Sequence, residues 1–161
     1  LGNWVVTLLE RTGGYGTGEA GAIGSLILLL GIPGRLVGGA LAHALRARVW
    51  RLIATSFVIG AAAVVLLMLS AGVVADVVGA AIVGLVSGMP FGSALTGAAQ
   101  ASPDAAGVGV GAMNTYPIIA IVAGTPLVGL TFSPGDGRLG FGVIAALWLA
   151  AVAVVPYGLE V

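Results

Sequence analysis

Cysteine and lysine are absent from this sequence, and charge of either sign is scarce. Without cysteine there is no disulfide, no thiolate nucleophile and no thiolate metal centre. The 161 residues hold one histidine, His43. One imidazole builds neither a histidine metal site nor a two-histidine relay. Only 7% of residues are charged, against roughly 25% in a soluble domain. That is too few to coat a water-facing surface. The formal net charge is zero, so there is no basic field for nucleic acid and no such partner is expected. Nothing in the sequence calls for a metal or another cofactor.

What is present is apolar. Hydrophobic residues make up 59% of the chain, and the mean hydropathy is +1.16. Roughly 20 apolar residues cross a bilayer as a helix, and runs of that length recur. LGNWVVTLLE (1–10) is too short to span and reads as the tail of a cut helix. RTGGYGTGE (11–19) reads as a glycine-rich polar loop. Full spans follow at about 20–46, 50–71, 75–99, 107–131 and 139–158, separated by a short break at 72–76 and by the turns ASPDAAG (101–107) and SPGDGR (133–138). Runs this long exclude barrel strands. The expected fold is all-α: one polytopic transmembrane bundle over residues 1–161, with five full spans and a partial N-terminal helix.

Arginine placement predicts orientation. Arg46, Arg48 and Arg51 crowd one short loop, whereas Arg11 and Arg138 fall on the opposite side. Positive residues favour the cytoplasmic side, which places the 46–51 loop inside and the 133–138 loop outside. The lipid bilayer of the inner (plasma) membrane is the expected surrounding.

Small residues recur at close-packing intervals: Gly84, Gly88 and Gly92 in one span, Gly34 and Gly38 in another. Such faces let helix backbones approach. Pro33, Pro90, Pro117 and Pro126 lie in or near spans, where they permit kinks. Asp76, at the edge of its span, reads as a solvated helix-end charge, and no acid is placed within a span. An intramembrane enzyme would need a nucleophile–base pair or clustered carboxylates at depth, so no enzyme is expected.

Arg35 is the exception among the apolar runs. Counted back from the end of its span, it lies about 12–16 Å deep, near the middle of a core roughly 30 Å thick. A charge there costs roughly 2.5–3.5 kcal/mol and is usually functional. Gly24, Gly31, Gly38 and Ala42 lie within about 60° of it on a helical wheel. That face is expected to leave room for the guanidinium and a guest. Two roles stay open: pairing with carbonyls or a distant acid, or holding an anion with its planar donor fork. Asn114 and Thr125 share a helix face with Gly111 and are further candidates for a binding cleft.

GGALAHALRAR (38–48) resembles the loop motif of the major facilitator superfamily, G-x-L-A-D-R-x-G-R-R. Gly39, Leu41, Ala42 and Arg46 or Arg48 match it; His43 stands at the motif's acid and Leu45 at its second glycine. Residues 88–132 are similar to that superfamily's tenth and eleventh helices, through Pro103, Asp104, Asn114, Gly124, Pro126 and Gly129. GRLVGG (34–39) is similar to the Arg-x-x-Gly-Gly of nitrate/nitrite porters, although 107–124 lacks their regular glycine ladder with Asn. The resemblance implies the C-terminal half of a twelve-helix secondary transporter working by alternating access. The partner of this half is then a missing N-terminal half, and the substrate is a small solute, an anion where Arg35 holds it. It further implies a gating role for the loop residues Gly39, His43, Arg46 and Arg48. The alternative is a non-transporting membrane sensor or interaction protein on the same fold.

Overall fold

The computed structural model describes residues 2–45, 49–101, 103–133 and 135–154. Among them there are six α-helices and no strand. They are α1 (Gly2–Gly13), α2 (Thr17–Leu45), α3 (Val49–Leu69), α4 (Val73–Ala101), α5 (Ala106–Leu130) and α6 (Arg138–Val154), with one 3-10 turn at Pro103–Ala105. The chain is an all-α bundle. Four helices, α2 to α5, are long and apolar enough to cross a membrane. Over its described residues α6 is shorter, at 17 residues, about 26 Å of helix; its expected end near 158 lies outside the described residues.

Most element boundaries fall within a few residues of those expected, but the first loop does not. Helix runs through Arg11, Thr12 and Gly13, and only Gly14–Gly16 are non-helical. Two local devices compress it. Gly14 adopts φ +68°, a left-handed conformation that closes a helix without the penalty a Cβ would bring. Glu19 then accepts a hydrogen bond from the Gly16 N–H at 3.3 Å, half of a capping box at the start of α2. The other two junctions at this end use positive φ as well: Ser70 and Gly72 between α3 and α4, and Gly137 before α6. The linkers Gly14–Gly16, Ser70–Gly72 and Thr131–Gly137 thus gather at one end of the bundle, called here the Tyr15 end. The opposite end carries His43.

The spine of the fold is α2 against α4, running parallel. A Cβ placed on Gly34 or Gly38 would strike the carbonyls of Leu85 or Met89. A Cβ on Gly84 would lie 2.8 Å from the Ile27 carbonyl, and one on Gly88 would lie 2.8 Å from the Arg35 nitrogen. No side chain separates the two backbones, which is the use of small residues at intramembrane contacts. Ser93 of α4 adds a hydroxyl bond to the Gly38 carbonyl at 3.3 Å. Around this spine α3 packs on α4 and α6 packs on α3. The ring of Trp148 occupies the notch left by Gly60. A buried cluster of Val5, Leu8, Leu9, Ile23, Val64, Leu67, Val83 and Phe141 joins α1 to this group.

Helix α5 differs. It passes through Pro117 and Pro126 without interruption and buries no residue. It touches α4 near its start and α1 and α6 near its end. Trp4 of α1 holds that end: its indole N–H donates to the Thr125 carbonyl at 2.9 Å, and its ring stacks on Phe132 with centroids 5.3 Å apart.

Candidate functional site

Arg35 stands ten residues before the end of α2, about 15 Å along the helix axis. The glycine face beside it is not a chamber. Gly31, Gly34 and Gly38 are occupied by the backbone of α4, so the room expected for a guest on that face is filled. The spacing was right and its use was different: small residues at depth serve helix contact before they serve a ligand. Arg35 itself sits at the rim of the seam and is exposed. Its backbone is held from α4, since a Cβ on Gly92 would strike the Arg35 carbonyl and one on Gly88 its nitrogen. Its guanidinium lies over the Phe91 ring, 4.5 Å from the centroid. This contact neutralises no charge, and an aromatic face attracts a cation by only about 0.5–2 kcal/mol. Among the described residues the guanidinium has neither a hydrogen-bond acceptor nor a carboxylate partner; the ion pair found there is Arg138–Asp136, at 3.2 Å.

The other expected residues do not converge on Arg35. Thr125 is half-buried and lines an apolar cavity of about 500 Å³ with Trp4, Leu28, Ile121 and Trp148. Neither Arg35 nor Asn114 belongs to that lining. Asn114 is exposed, and a Cβ on Gly111 would meet nothing within 4 Å, so their shared face is open. In the loop motif, Gly39 is half-buried against α4 and His43 is exposed near the end of α2. Arg46 and Arg48 lie outside the described residues.

A second polar site went unrecognised in the sequence. Asp76, expected as a solvated charge, is completely buried. It lies in the first turn of α4, its N–H bonded to the Gly72 carbonyl at 3.0 Å. Tyr15 donates its hydroxyl to Asp76 Oδ2 at 2.6 Å, and Ser70 donates to the same oxygen at 3.2 Å. Asp76 Oδ1 is buried and has no hydrogen-bond partner among the described residues. Short linkers explain the burial, because they fold Tyr15 and Ser70 over the end of α4. One signal was available: Asp76 shares a helix face with Ala80 and Val83, within about 40°, and both are fully buried. An acid on the apolar side of its own helix is poorly placed for solvent.

The Tyr15 hydroxyl is pushed up to about 12, first by its hydrogen bond to Asp76, then by burial and by the charges of Asp76 and Glu19. It therefore stays protonated and donating throughout the neutral range. Nearby, Arg11 donates to the carbonyls of Phe132 and Gly135 and lies 5.5 Å from the Phe132 ring centroid. It ties α1 to the last linker, and no cation reaches Asp76 among the described residues.

Comparison with protein-family models, with curated proteins and with solved structures finds no match.

Proposed function

We propose that this chain is one half of a secondary transporter for a small anionic solute, built like the C-terminal half of a major facilitator protein. One observation carries the reading. An arginine stands about 15 Å inside an apolar helix, exposed, with its guanidinium over the Phe91 ring and no acid beside it among the described residues. A structural arginine at that depth would be expected to pair with a carboxylate or with carbonyls. An unpaired fork of five N–H donors suits a planar or tetrahedral oxyanion. In this reading the substrate lies between α2 and a second bundle, and alternating access rocks one bundle against the other. Thr125 and Asn114, on α5, contribute to the wall rather than to first contact with the anion. The 46–51 loop faces the cytoplasm, in the inner membrane of the cell, and the Tyr15 end faces outward.

The test is Arg35→Lys in the full-length protein, reconstituted in vesicles and assayed for uptake of a panel of inorganic anions. Lysine keeps the charge and loses the fork. Normal insertion with uptake weakened at least tenfold, about 1.4 kcal/mol, is the expected result. Unchanged uptake rejects the anion role for Arg35. Absence of any solute flux in the parent protein favours the other reading, a membrane sensor or interaction protein on the same fold.

A further inference from the structure

Asp76 has no part in the anion site, and its chemistry is independent of whether the chain transports a solute. A fully buried carboxylate normally has a cation, a metal or a full set of donors, because removing its charge from water is costly. Asp76 has none of these in full. Two hydroxyls share Oδ2, and Oδ1 is buried and unpartnered among the described residues.

The groups facing it can be named element by element. The first linker supplies Tyr15, and the α3–α4 turn supplies Ser70. Helix α2 supplies Glu19, whose negative charge acts on Tyr15. The charged residues of α1 are Glu10 and Arg11, and Arg11 is turned to the Phe132 and Gly135 carbonyls. Asp136 of the last linker and Arg138, the first residue of α6, pair with each other. Helix α3 presents Ala63, Val64 and Leu67 to the core, all apolar. No neighbouring positive side chain is thus directed at Asp76 among the described residues. The positive end of α4 is the one favourable field, and it is worth only about 0.3–2 kcal/mol.

We propose that Asp76 is a reversible proton-binding site, taking its proton on Oδ1. The step is a simple association: a proton from water joins the Oδ1 lone pair, the carboxylate becomes a neutral acid, and no electron moves. Tyr15 and Ser70 keep donating to Oδ2 in both states. A metal ion fits less well, since the two hydroxyls lie on Oδ2 and the free oxygen has no companion ligand. The site couples protonation to structure because its two donors come from different linkers. In the charged state Asp76 holds Tyr15 and Ser70 as charge-assisted bonds, about twice as strong as neutral ones. Protonation loosens both, and with them the clasp between the α1–α2 and α3–α4 hairpins.

The test uses the full-length protein in nanodiscs and infrared difference spectra between about pH 8 and about pH 2.5, a range that brackets carboxyl titration. A reversible carboxylic-acid carbonyl band should appear on acidification, and the component that Asp76 contributes, read as the wild-type spectrum minus that of Asp76→Asn, should be present over the same titration. Circular dichroism confirms that the variant folds. Tyr15→Phe, read on the same band, removes a donor that favours the carboxylate. It should therefore tighten proton binding by about tenfold, moving the transition to higher pH. Ser70→Ala should move it the same way by less. If Asp76→Asn misfolds, the Tyr15→Phe displacement alone decides. The proposal is overturned by a wild-type spectrum identical to that of Asp76→Asn, by an unmoved transition in Tyr15→Phe, or by a carboxylate band that responds to sodium at fixed pH instead of to protons.

Discussion

Helices α4 and α5 have similar length and similar composition, yet one is sealed into the bundle and the other lies along its surface. Both are rich in glycine. In α4, Gly84, Gly88 and Gly92 meet the backbone of α2, so each glycine is a point of contact. In α5, a Cβ on Gly107, Gly111 or Gly124 would meet nothing within 4 Å. Glycine spacing identifies a helix that can be approached closely. Whether it is approached depends on what the rest of the protein presents, and for α5 only its two ends are engaged.

The largest test of this contrast is one substitution made in both places. Gly92→Ala drives a methyl group into the Arg35 carbonyl and should cost about 2–3 kcal/mol by overpacking. The reading is the midpoint and slope of equilibrium unfolding in mixed micelles. A loss below about 0.5 kcal/mol would mean that α2 and α4 are not in backbone contact. The next effect concerns the hold on α5. Trp4→Phe keeps the ring on Phe132 and removes the indole N–H from the Thr125 carbonyl. It should cost about 1 kcal/mol and speed amide exchange in the second half of α5 more than in α4. Equal exchange in both helices would show that Trp4 is not the fastening. The smallest effect has the opposite sign. Gly111→Ala has open space and a helical backbone, so it should stabilise by about 0.5–1 kcal/mol through helix propensity. A destabilisation there would reveal a neighbour packed on the face of Gly111 and Asn114.

The same contrast explains what could be read from the sequence. Helix positions followed from apolar length, since Val49–Leu69 or Ala106–Leu130 can hardly be anything but helix at that composition. The first loop was overestimated because Arg11, Thr12 and Gly13 are polar or small. Thr12 nevertheless bonds the Leu8 carbonyl at 2.8 Å, and helix continues until Gly14. Arg35 stood out because a charge in an apolar run is conspicuous. Its stacking on Phe91 was not legible, since the two are far apart in sequence and only the parallel α2–α4 pairing brings them together. Asp76 was misjudged for a related reason: its burial comes from Tyr15 and Ser70, delivered by two turns whose geometry rests on positive φ values.

The seam between α2 and α4 also has a mechanical consequence. Two helices separated by side chains can slide, because rotamers yield and repack. Two helices separated by nothing but backbone cannot, since a shift of even one residue, about 1.5 Å, would run a carbonyl into a neighbouring α-carbon. The pair is therefore a single mast. Arg35 from one helix and Phe91 from the other are fixed to it at the same height, and they travel together through any swing of the bundle. Motion has to be taken up elsewhere, at the loosely moored α5 and at the turns around Tyr15 and Ser70.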